Sequence, residues 1–335
     1  MQPSFSHIYV EKKVRDLPLT KLALSKFSDS NVIWVDHYKD VFNRSGQDFQ
    51  SQKFSMNLIL AKKTKPFLYP ASDLVQNFDN PNIYYNTPVL NCIYNCDYCF
   101  LQGMYNSGNI VVFVNENEFR KSIKDALLVP KDPTKPTIVS ISYNTDLLAM
   151  ENILPLTRRW IEFAKKNINL NIEIRTKSAL ISSIKDMRPL ENVILSWTLS
   201  PQIICDSYEK SAPPLKSRLR SIKYAADLGW KIRLCFDPVI FIKNWYEIYL
   251  EFISEVFSVI DSDKVEDITL GVFRMNKDFF NRIRKRDPKS DIYFKDYAIE
   301  GKTVVERKSK RLNGLNMLTN ILLKYLPKKN IHVWN

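Results

Sequence analysis

Residues 91–102 read NCIYNCDYCFLQ, which places Cys92, Cys96 and Cys99 within eight positions. Three thiolates on so short a loop can bind three corners of an iron–sulfur cube, because cluster irons take cysteine ligands. The remaining iron then has no protein ligand, and an open metal position is available to a cofactor or substrate. With S-adenosylmethionine (SAM) bound there, an electron from the cluster can break the sulfonium bond and release a radical. The spacing Cys-x3-Cys-x2-Cys therefore predicts a 4Fe–4S cluster and SAM as cofactors.

Other interpretations of these cysteines stay open. A structural zinc ion needs four ligands, but Cys205, Cys235 and the three histidines lie far away at no zinc-finger spacing. A Cys-x2-Cys redox pair would leave Cys92 without a role. Chance clustering of buried thiols is the third possibility. The odd total of five cysteines, with no visible secretory signal, disfavours a disulfide framework.

Charge and composition narrow the classes of partner. The 335 residues include 49 Lys and Arg against 36 Asp and Glu, a net charge of +13. Such an excess favours a polyanion such as nucleic acid. No apolar run approaches the roughly 18–20 residues of a membrane span, and neither GxGxxG nor GxxxxGK[ST] occurs. We therefore expect a cytoplasmic protein, with no membrane association and no nucleotide-binding glycine loop.

Strand-like and helix-like runs alternate from about residue 81 onward. The strand-like runs are NIYYNT, NIVVFVN, TIVSISY, LNIEIRT, NVILSWTLS, WKIRLCFDP and DITLGVFR, with helix-like runs such as ENEFRKSIKDALL and KSALISSIKDM between them. Repeated βα units favour parallel strands with ligands at their C-terminal ends. The pattern predicts an α/β fold: a partial (β/α)6 barrel over 81–275, with an N-terminal α/β extension over 1–80. A basic part with a helix follows over 276–335, and the family resemblance given next adds a hairpin to it.

Several long segments also resemble one enzyme family. They are IYVEKKVRDLPLTKLALSKF, the cysteine loop with FLQGMYNSGNIVVFVNENEF, SPQIICDSYEKSAPPLKSRLRSIKYAADLGWKI, and the hairpin-like KDYAIEGKTV. Together they resemble the spore photoproduct lyase family, radical-SAM enzymes that reverse a methylene-bridged thymine dimer in DNA. The resemblance implies a radical-SAM barrel, lyase-like chemistry on a pyrimidine in DNA, and both cofactors above. We also expect a monomer that takes electrons from a reductant such as flavodoxin or ferredoxin.

The resemblance assigns roles to particular residues. It makes Cys92, Cys96 and Cys99 the cluster ligands and places Tyr98 near the adenosine and the radical path. It implies that Asp146, Lys177 and Ser196 belong to the SAM site. If the substrate is DNA, the basic C-terminal run offers candidate contacts at Arg284, Arg286 and Lys302, interleaved with aromatic residues such as Tyr297. A solvated charged surface is the alternative.

The chain departs from the family at three positions. Tyr143 stands where the lyases carry the cysteine that returns hydrogen to the product radical, and Phe100 stands where they carry a relay tyrosine. Asp296 precedes Tyr297 where an arginine is expected, and a carboxylate repels phosphate. Cys235, which shares a strand face with Asp237, is a candidate replacement donor; a buried small hydrophobe is the alternative. Tyr143 is kept as a second catalytic candidate.

These departures keep other functions open. One is a base-modifying isomerase rather than a repair lyase. Another is a radical-SAM enzyme acting on an RNA base, a peptide or a small metabolite. A third is a non-enzymatic, cluster-bearing nucleic-acid-binding module, against which the intact cysteine loop argues.

Overall fold

A computed structural model of the chain describes residues 4–71, 78 and 80–334. Two compact units are distinguished. The first comprises Met1–Ala71, Asp79–Ile93 and Met104–Ile174, and the second comprises Ser72–Phe78, Tyr94–Gly103 and Arg175–Asn335.

The regular elements follow one another in this order: β1 (His7–Glu11), α1 (Pro18–Lys26), β2 (Asn31–Val35), α2 (Lys39–Phe42), α3 (Phe49–Phe54), β3 (Leu58–Ala61), β4 (Tyr69–Pro70), β5 (Ile83–Tyr85), β6 (Val89–Leu90), β7 (Asn95–Cys96), α4 (Leu101–Met104), β8 (Ile110–Phe113), α5 (Glu116–Leu128), β9 (Thr137–Ser140), α6 (Leu156–Lys165) and β10 (Leu170–Thr176). The remainder are β11 (Val193–Thr198), α7 (Gln202–Tyr208), β12 (Glu209–Lys210), α8 (Leu215–Leu228), β13 (Lys231–Val239), α9 (Trp245–Val259), β14 (Val265–Val272), β15 (Arg274–Asn276), α10 (Lys277–Arg286), β16 (Tyr297–Glu300), β17 (Thr303–Glu306), α11 (Lys308–Leu322) and β18 (Ile331–Trp334).

A five-stranded sheet in the first unit has the order β2-β1-β3-β8-β6. Strands β1, β2, β3 and β8 are parallel, and β6 runs antiparallel to β8. Every residue of β3 and β8 is buried, as is usual for strands covered on both faces. The run NIVVFVN was predicted within the barrel alternation, but its strand β8 belongs to this sheet. A continuous apolar run does not encode which sheet a strand joins.

The barrel strands form an eight-stranded sheet of order β18-β14-β13-β11-β10-β9-β5-β4. Six of them, β5, β9, β10, β11, β13 and β14, follow one another in chain order, and the cysteine loop comes after β5, the first of the six. The pairs β5–β9 and β9–β10 are parallel, as are β11–β13 and β13–β14. The predicted α/β class and partial (β/α)6 barrel are confirmed.

Helix α8 shows how local sequence sets the element boundaries. Pro214 precedes its first residue, and Gly229 ends it in the left-handed region at φ 95°. Glycine takes this conformation without a Cβ clash, so it ends the helix cleanly. Leu215, Leu219 and Ile222 recur at helical spacing and are buried.

The run KSALISSIKDM was predicted to be helical, but only Ile181–Ile184 form a short 3₁₀ turn. Ser178 Oγ accepts from the backbone N–H of Leu180 at 3.1 Å, and Ser183 Oγ donates to the carbonyl of Leu180 at 2.6 Å. Serine side chains that bond nearby backbone compete with the helical hydrogen bonds. This competition explains the correction.

The C-terminal hairpin is present as predicted. Strands β16 and β17 pair antiparallel around Gly301, whose φ is 59°, and β15 completes a three-stranded sheet of order β15-β17-β16. Across the described part of the chain, no helix has the length and apolar character needed to cross a membrane.

Candidate active site

The second half of the cysteine loop is fixed by a short antiparallel ribbon in the second unit. Strand β7 pairs with β12, with Cys96 opposite Glu209 and Asn95 opposite Lys210. The backbone N–H of Cys99 donates to the carbonyl of Cys96 at 3.0 Å. The thiols of Cys96 and Cys99 therefore branch from one tight turn.

Helix α10 holds the residues that follow these thiols. Gln102 Nε2 donates to the carbonyl of Cys96 at 2.7 Å. Arg286 donates in turn to the carbonyl of Gln102 at 2.6 Å, and Arg282 donates to the carbonyl of Gly103 at 2.7 Å. These guanidinium groups satisfy carbonyls that lack partners at the end of the short helix α4.

Gly103 allows α4 and α10 to approach closely. A Cβ at this position would lie 2.5 Å from Cβ of Phe279 and 2.6 Å from its Cα. Any larger residue would therefore push the two helices apart.

Cys92 lies in the first unit, where its own backbone is held independently. The Lys53 ammonium donates to the Cys92 carbonyl, and the Cys92 N–H donates to Asn91 Oδ1 at 3.0 Å. Asn91 has φ 72°, and its amide also donates to the carbonyls of Ser107 and Asn109. Several hydrogen bonds therefore hold the backbone at the start of the loop, and no sequence motif had predicted them.

Glu209 is the centre of a buried ionic cluster beside the cysteine turn. Its carboxylate accepts from the Tyr98 hydroxyl and pairs with Arg218, whose side chain is 0% exposed, as is that of Glu209. Ser200 Oγ donates to the same carboxylate at 3.3 Å. Lys177 places its ammonium 5.2 Å from the centroid of the Tyr98 ring, at cation–π distance.

The electrostatics of this cluster favour its charged forms. Burial alone would raise the pKa of Glu209, but the charges of Lys177 and Arg218 outweigh it and lower that pKa. Burial would likewise lower the pKa of Lys177, but Cys96 and Glu209 raise it. Burial, and then Glu209, raise the pKa of Tyr98 well above its usual value. At neutral pH the site holds a carboxylate, two cations and a protonated phenol.

Cys235 lies buried on β13, two positions before Asp237. It is 0% exposed and opposes Thr269 of β14, to which Arg175 donates at 3.3 Å. Asp237 binds Arg274 through contacts of 2.7 and 3.1 Å, and Arg175 approaches its carboxylate at 3.8 Å. Burial would raise the pKa of Asp237, but the two arginines lower it. The predicted shared face of Cys235 and Asp237 is therefore a polar, charged face.

The other predicted SAM residues are buried. Ser196 is 0% exposed on β11, opposite Arg233 of β13. Asp146, in the first unit, accepts from the backbone N–H of Ala149 at 3.0 Å and thereby caps a turn. Cys205 is buried in α7.

Tyr143, also in the first unit, stacks on Tyr85 with ring centroids 4.2 Å apart. In the second unit, Phe100 packs against an apolar cluster that includes Ile204 and Phe273. Tyr143 therefore supplies no thiol at the first of these positions, and Phe100 supplies no hydroxyl at the second.

The predicted DNA-contacting residues fall into two groups. Arg284 and Lys302 are exposed, whereas Arg286 is partly buried against α4 as described above. Tyr297 packs its ring 5.2 Å from that of Phe273, and its hydroxyl is buried without a hydrogen-bond partner. Asp296 forms a two-point ion pair with Arg307, with both contacts at 2.6 Å.

The chemistry of the cysteine loop fits an iron–sulfur cluster. It offers three thiols, two of them on one turn, with the Lys177 cation nearby to stabilise thiolates. Within residues 4–71, 78 and 80–334, no three histidine, cysteine or acidic side chains are gathered as a metal-binding group. The case for a cluster therefore rests on the three cysteine ligands that the loop supplies.

The partial barrel, with a three-cysteine loop after the first of its six strands, is the arrangement of radical-SAM proteins. A family model described as "Spore photoproduct lyase" matches residues 3–310, and the chain belongs to this family. It is accordingly an enzyme of the radical-SAM lyase class, whose members use a 4Fe–4S cluster and SAM.

Solved structures of spore photoproduct lyase show the same fold. A double mutant with bound AdoMet and dinucleoside spore photoproduct matches with a TM-score of 0.85, and the enzyme complexed with dinucleoside spore photoproduct matches at 0.81. Each is 16% identical and the match covers 99% of both chains. No curated protein sequence matches the chain.

Sequence reasoning missed the ionic cluster itself. Arg218 lies on the apolar face of α8, between Leu215 and Leu219, where an arginine is buried only with a charged partner. That pattern was a usable signal for a buried acid. Nothing in the sequence identified Glu209 as that acid, because a two-residue strand has no periodicity.

Proposed function

We propose that the chain takes a hydrogen atom from a pyrimidine in DNA, either a thymine lesion or a modified thymine. The observation that carries this proposal is the family match over 3–310 together with the intact three-cysteine loop. Solved relatives that hold a dinucleoside spore photoproduct support the choice of substrate class.

In this proposal the cofactor residues are those of the resemblance. The cluster is held by Cys92, Cys96 and Cys99, and SAM by Tyr98, Asp146, Lys177 and Ser196. Once bound, the two cofactors supply a 5′-deoxyadenosyl radical. The buried cluster around Glu209 fixes the Tyr98 hydroxyl and the Lys177 ammonium, so both groups are oriented before a ligand arrives.

DNA would be held by the basic C-terminal part. To reach a thymine methyl or a lesion bridge, the base must leave the stack at a cost of a few kcal/mol. Exposed Arg284 and Lys302 can contact phosphates, and the partly buried Tyr297 and Arg286 are further candidates. The Asp296–Arg307 pair neutralises the carboxylate that would otherwise repel the backbone.

The final hydrogen donor distinguishes repair from modification. Tyr143 replaces the family thiol, so repair needs another donor, and Cys235 on the charged face of β13 is our candidate. If Cys235 does not donate, rearrangement of a base by an isomerase of the same fold is the alternative outcome. Tyr143 stacked on Tyr85 is the observation that favours this second candidate.

The test is anaerobic turnover of the reconstituted chain with SAM and a reductant. DNA carrying deuterated thymine methyl groups is supplied, both irradiated and plain. We expect deuterium in 5′-deoxyadenosine or in recovered SAM. Absence of transfer from either DNA would instead indicate an RNA base, a peptide or a small metabolite as substrate.

Single substitutions distinguish the residues that bind the cluster from the residue that donates hydrogen. Alanine at Cys92, Cys96 or Cys99 is expected to abolish the iron–sulfur absorption and EPR signals, whereas Cys205→Ala retains them. Cys235→Ala is expected to retain the signals and the deuterium transfer but to lose the repaired product. An unchanged product would assign the donor elsewhere.

The proposal also includes a flavodoxin- or ferredoxin-like reductant, a monomer and a cytoplasmic location. The division into 1–80, 81–275 and 276–335 is kept as a proposal about how the chain is organised for function.

A further inference from the structure

Lys53 places a buried cation against the first cysteine of the loop, within the first unit. It is 8% exposed in α3, and its ammonium donates to the Cys92 carbonyl and, at 3.6 Å, to the Met56 sulfur. Lysine is almost never buried without a polar or charged partner. Burial takes both rotamer freedom and hydration from so long a cation, so the position is costly. The cost indicates that the charge itself has a function.

Helix α3 is fixed against the same segment that holds Asn91, the residue before the first cysteine. Gln52 Oε1 accepts from the backbone N–H of Gly108 at 2.8 Å and from Ser107 Oγ at 3.0 Å. A Cβ at Gly108 would lie 2.9 Å from Cβ of Gln52 and 3.0 Å from the backbone nitrogen of Lys53, so this close approach requires glycine. The Asn91 amide donates to the Ser107 carbonyl at 2.9 Å. Lys53 and the start of the loop are therefore anchored to one segment.

The contact with the carbonyl limits how far the Lys53 charge can lie from the Cys92 sulfur. Standard bond lengths keep the sulfur of a cysteine within about 5 Å of its own carbonyl oxygen. A hydrogen bond adds about 3 Å, so the ammonium lies within about 8 Å of the sulfur. Charges this close interact appreciably at the effective dielectric constant of a protein. Because Lys53 is buried, salt screens this interaction less than it would screen a surface pair.

We propose that Lys53 is a positioning residue that raises the reduction potential of the cluster held at Cys92. It acts through Cys92 in two ways: its N–H fixes the backbone of this ligand, and its charge lies near the sulfur of this ligand. The reductant gives one electron to the cluster, and no bond forms or breaks in that step. A nearby cation stabilises the added negative charge and favours the reduced form. The inference rests on the cluster of the proposed function and adds a residue that sets its potential.

The test is a redox titration of the reconstituted full chain, without SAM or DNA. Midpoint potentials are read from the EPR signal of the reduced cluster in the native chain, in Lys53→Met and in Lys53→Arg. In Lys53→Met the reduction equilibrium is expected to fall about tenfold, or about 59 mV for one electron, because the charge is lost. Lys53→Arg keeps the charge and is expected to stay close to the native value. An unchanged potential in Lys53→Met, or equal falls in both variants, would overturn the proposal.

Lys62→Met is the matched control, because it removes the same charge from the surface of the same unit. The Lys62 side chain is 44% exposed and pairs with Glu118 at 3.6 Å. Its loss is expected to leave the potential unchanged, since solvent and salt screen an exposed charge. A fall as large as that of Lys53→Met would assign the effect to net charge and contradict the proposal.

Thermal unfolding and iron content show whether each variant folds and binds iron. If Lys53→Met binds no iron, Lys53→Gln takes its place in the titration, because its amide can still donate to a carbonyl but carries no charge. The same fall is expected in this variant, and a native potential would again overturn the role of Lys53.

The outcomes for Lys53 and for the proposed function are distinguishable. If the native chain binds no iron–sulfur cluster, both proposals are overturned. If the variants keep the native potential while DNA supplies deuterium to 5′-deoxyadenosine, the role of Lys53 is overturned and the function stands. If the potential falls as expected but no deuterium is transferred, the role of Lys53 stands and the substrate must be revised.

Discussion

At the scale of single residues, Glu209 connects the buried ionic cluster to the cysteine turn. Its carboxylate is shared by Arg218, Tyr98 and Ser200, and its backbone pairs with that of Cys96. A buried charge that loses its partner is strongly destabilising, more so than any exposed pair.

We expect Glu209→Gln to lower the free energy of unfolding by about 3–5 kcal/mol, because Arg218 would keep a buried charge without a counter-ion. Urea unfolding measures this loss. Glu191→Gln is the matched control: its pair with Lys231 is exposed at 94% on the glutamate side and should be worth less than about 1 kcal/mol. Similar losses in both variants would show that the buried cluster is not a stabilising unit.

Only some of the residues at this site could be identified from the sequence. Cys92, Cys96 and Cys99 stand out by spacing, and the family resemblance assigned Lys177 to the SAM site. Glu209 could not be identified, because its role comes from a contact with a segment more than a hundred positions away. Residue spacing reflects local geometry, whereas a contact between residues far apart in the sequence produces no spacing pattern.

At the scale of elements, the N-terminus of helix α6 is capped by the carboxylate of Glu151, which precedes the helix. Glu151 is 8% exposed, and its carboxylate accepts from the backbone N–H of Thr157 at 2.7 Å and of Arg158 at 3.2 Å. Burial raises the pKa of Glu151 to about 6, although the helix N–H groups oppose the rise. The folded chain therefore holds this proton more tightly than the unfolded chain.

The sign of the pH effect follows from that raised pKa. The folded state loses stability as pH rises from about 4.5 to about 6, by about 2 kcal/mol in total. Glu151→Gln keeps an oxygen for the helix but cannot ionise, so its stability relative to the native chain should improve by this amount between about pH 4 and pH 7. Urea unfolding at both pH values measures it, with Glu162→Gln on the same helix as control. An unchanged difference across this range would refute the pH assignment.

Element prediction succeeded where periodicity and boundary residues agree. Helix α5 has the predicted bounds, Glu116–Leu128. Prediction was wrong at the serine-rich 177–187 run, where side chains compete for the backbone, and in the sheet assigned to β8. Pairing partners of buried strands are decided by packing, which a run of Ile and Val does not specify.

At the scale of the whole molecule, the net charge of +13 favours binding to the DNA that we propose as substrate. We expect the logarithm of the DNA-binding constant to fall linearly with the logarithm of salt concentration, by about 0.9 for each phosphate contacted. Arg284→Gln and Lys302→Gln should each reduce that slope by about 1. Lys124→Gln, on the exposed side of α5, should leave it unchanged. Fluorescence anisotropy at several salt concentrations measures the slope, and a flat dependence would argue against phosphate contacts.

The ribbon between β7 and β12 also bears on how this enzyme is made. Cys96 pairs with Glu209, and the Asp97 carbonyl accepts from the hydroxyl of Tyr293. During synthesis the thiols therefore leave the ribosome long before the segments that shape their loop. We therefore expect cluster assembly on these cysteines to follow the synthesis of both segments.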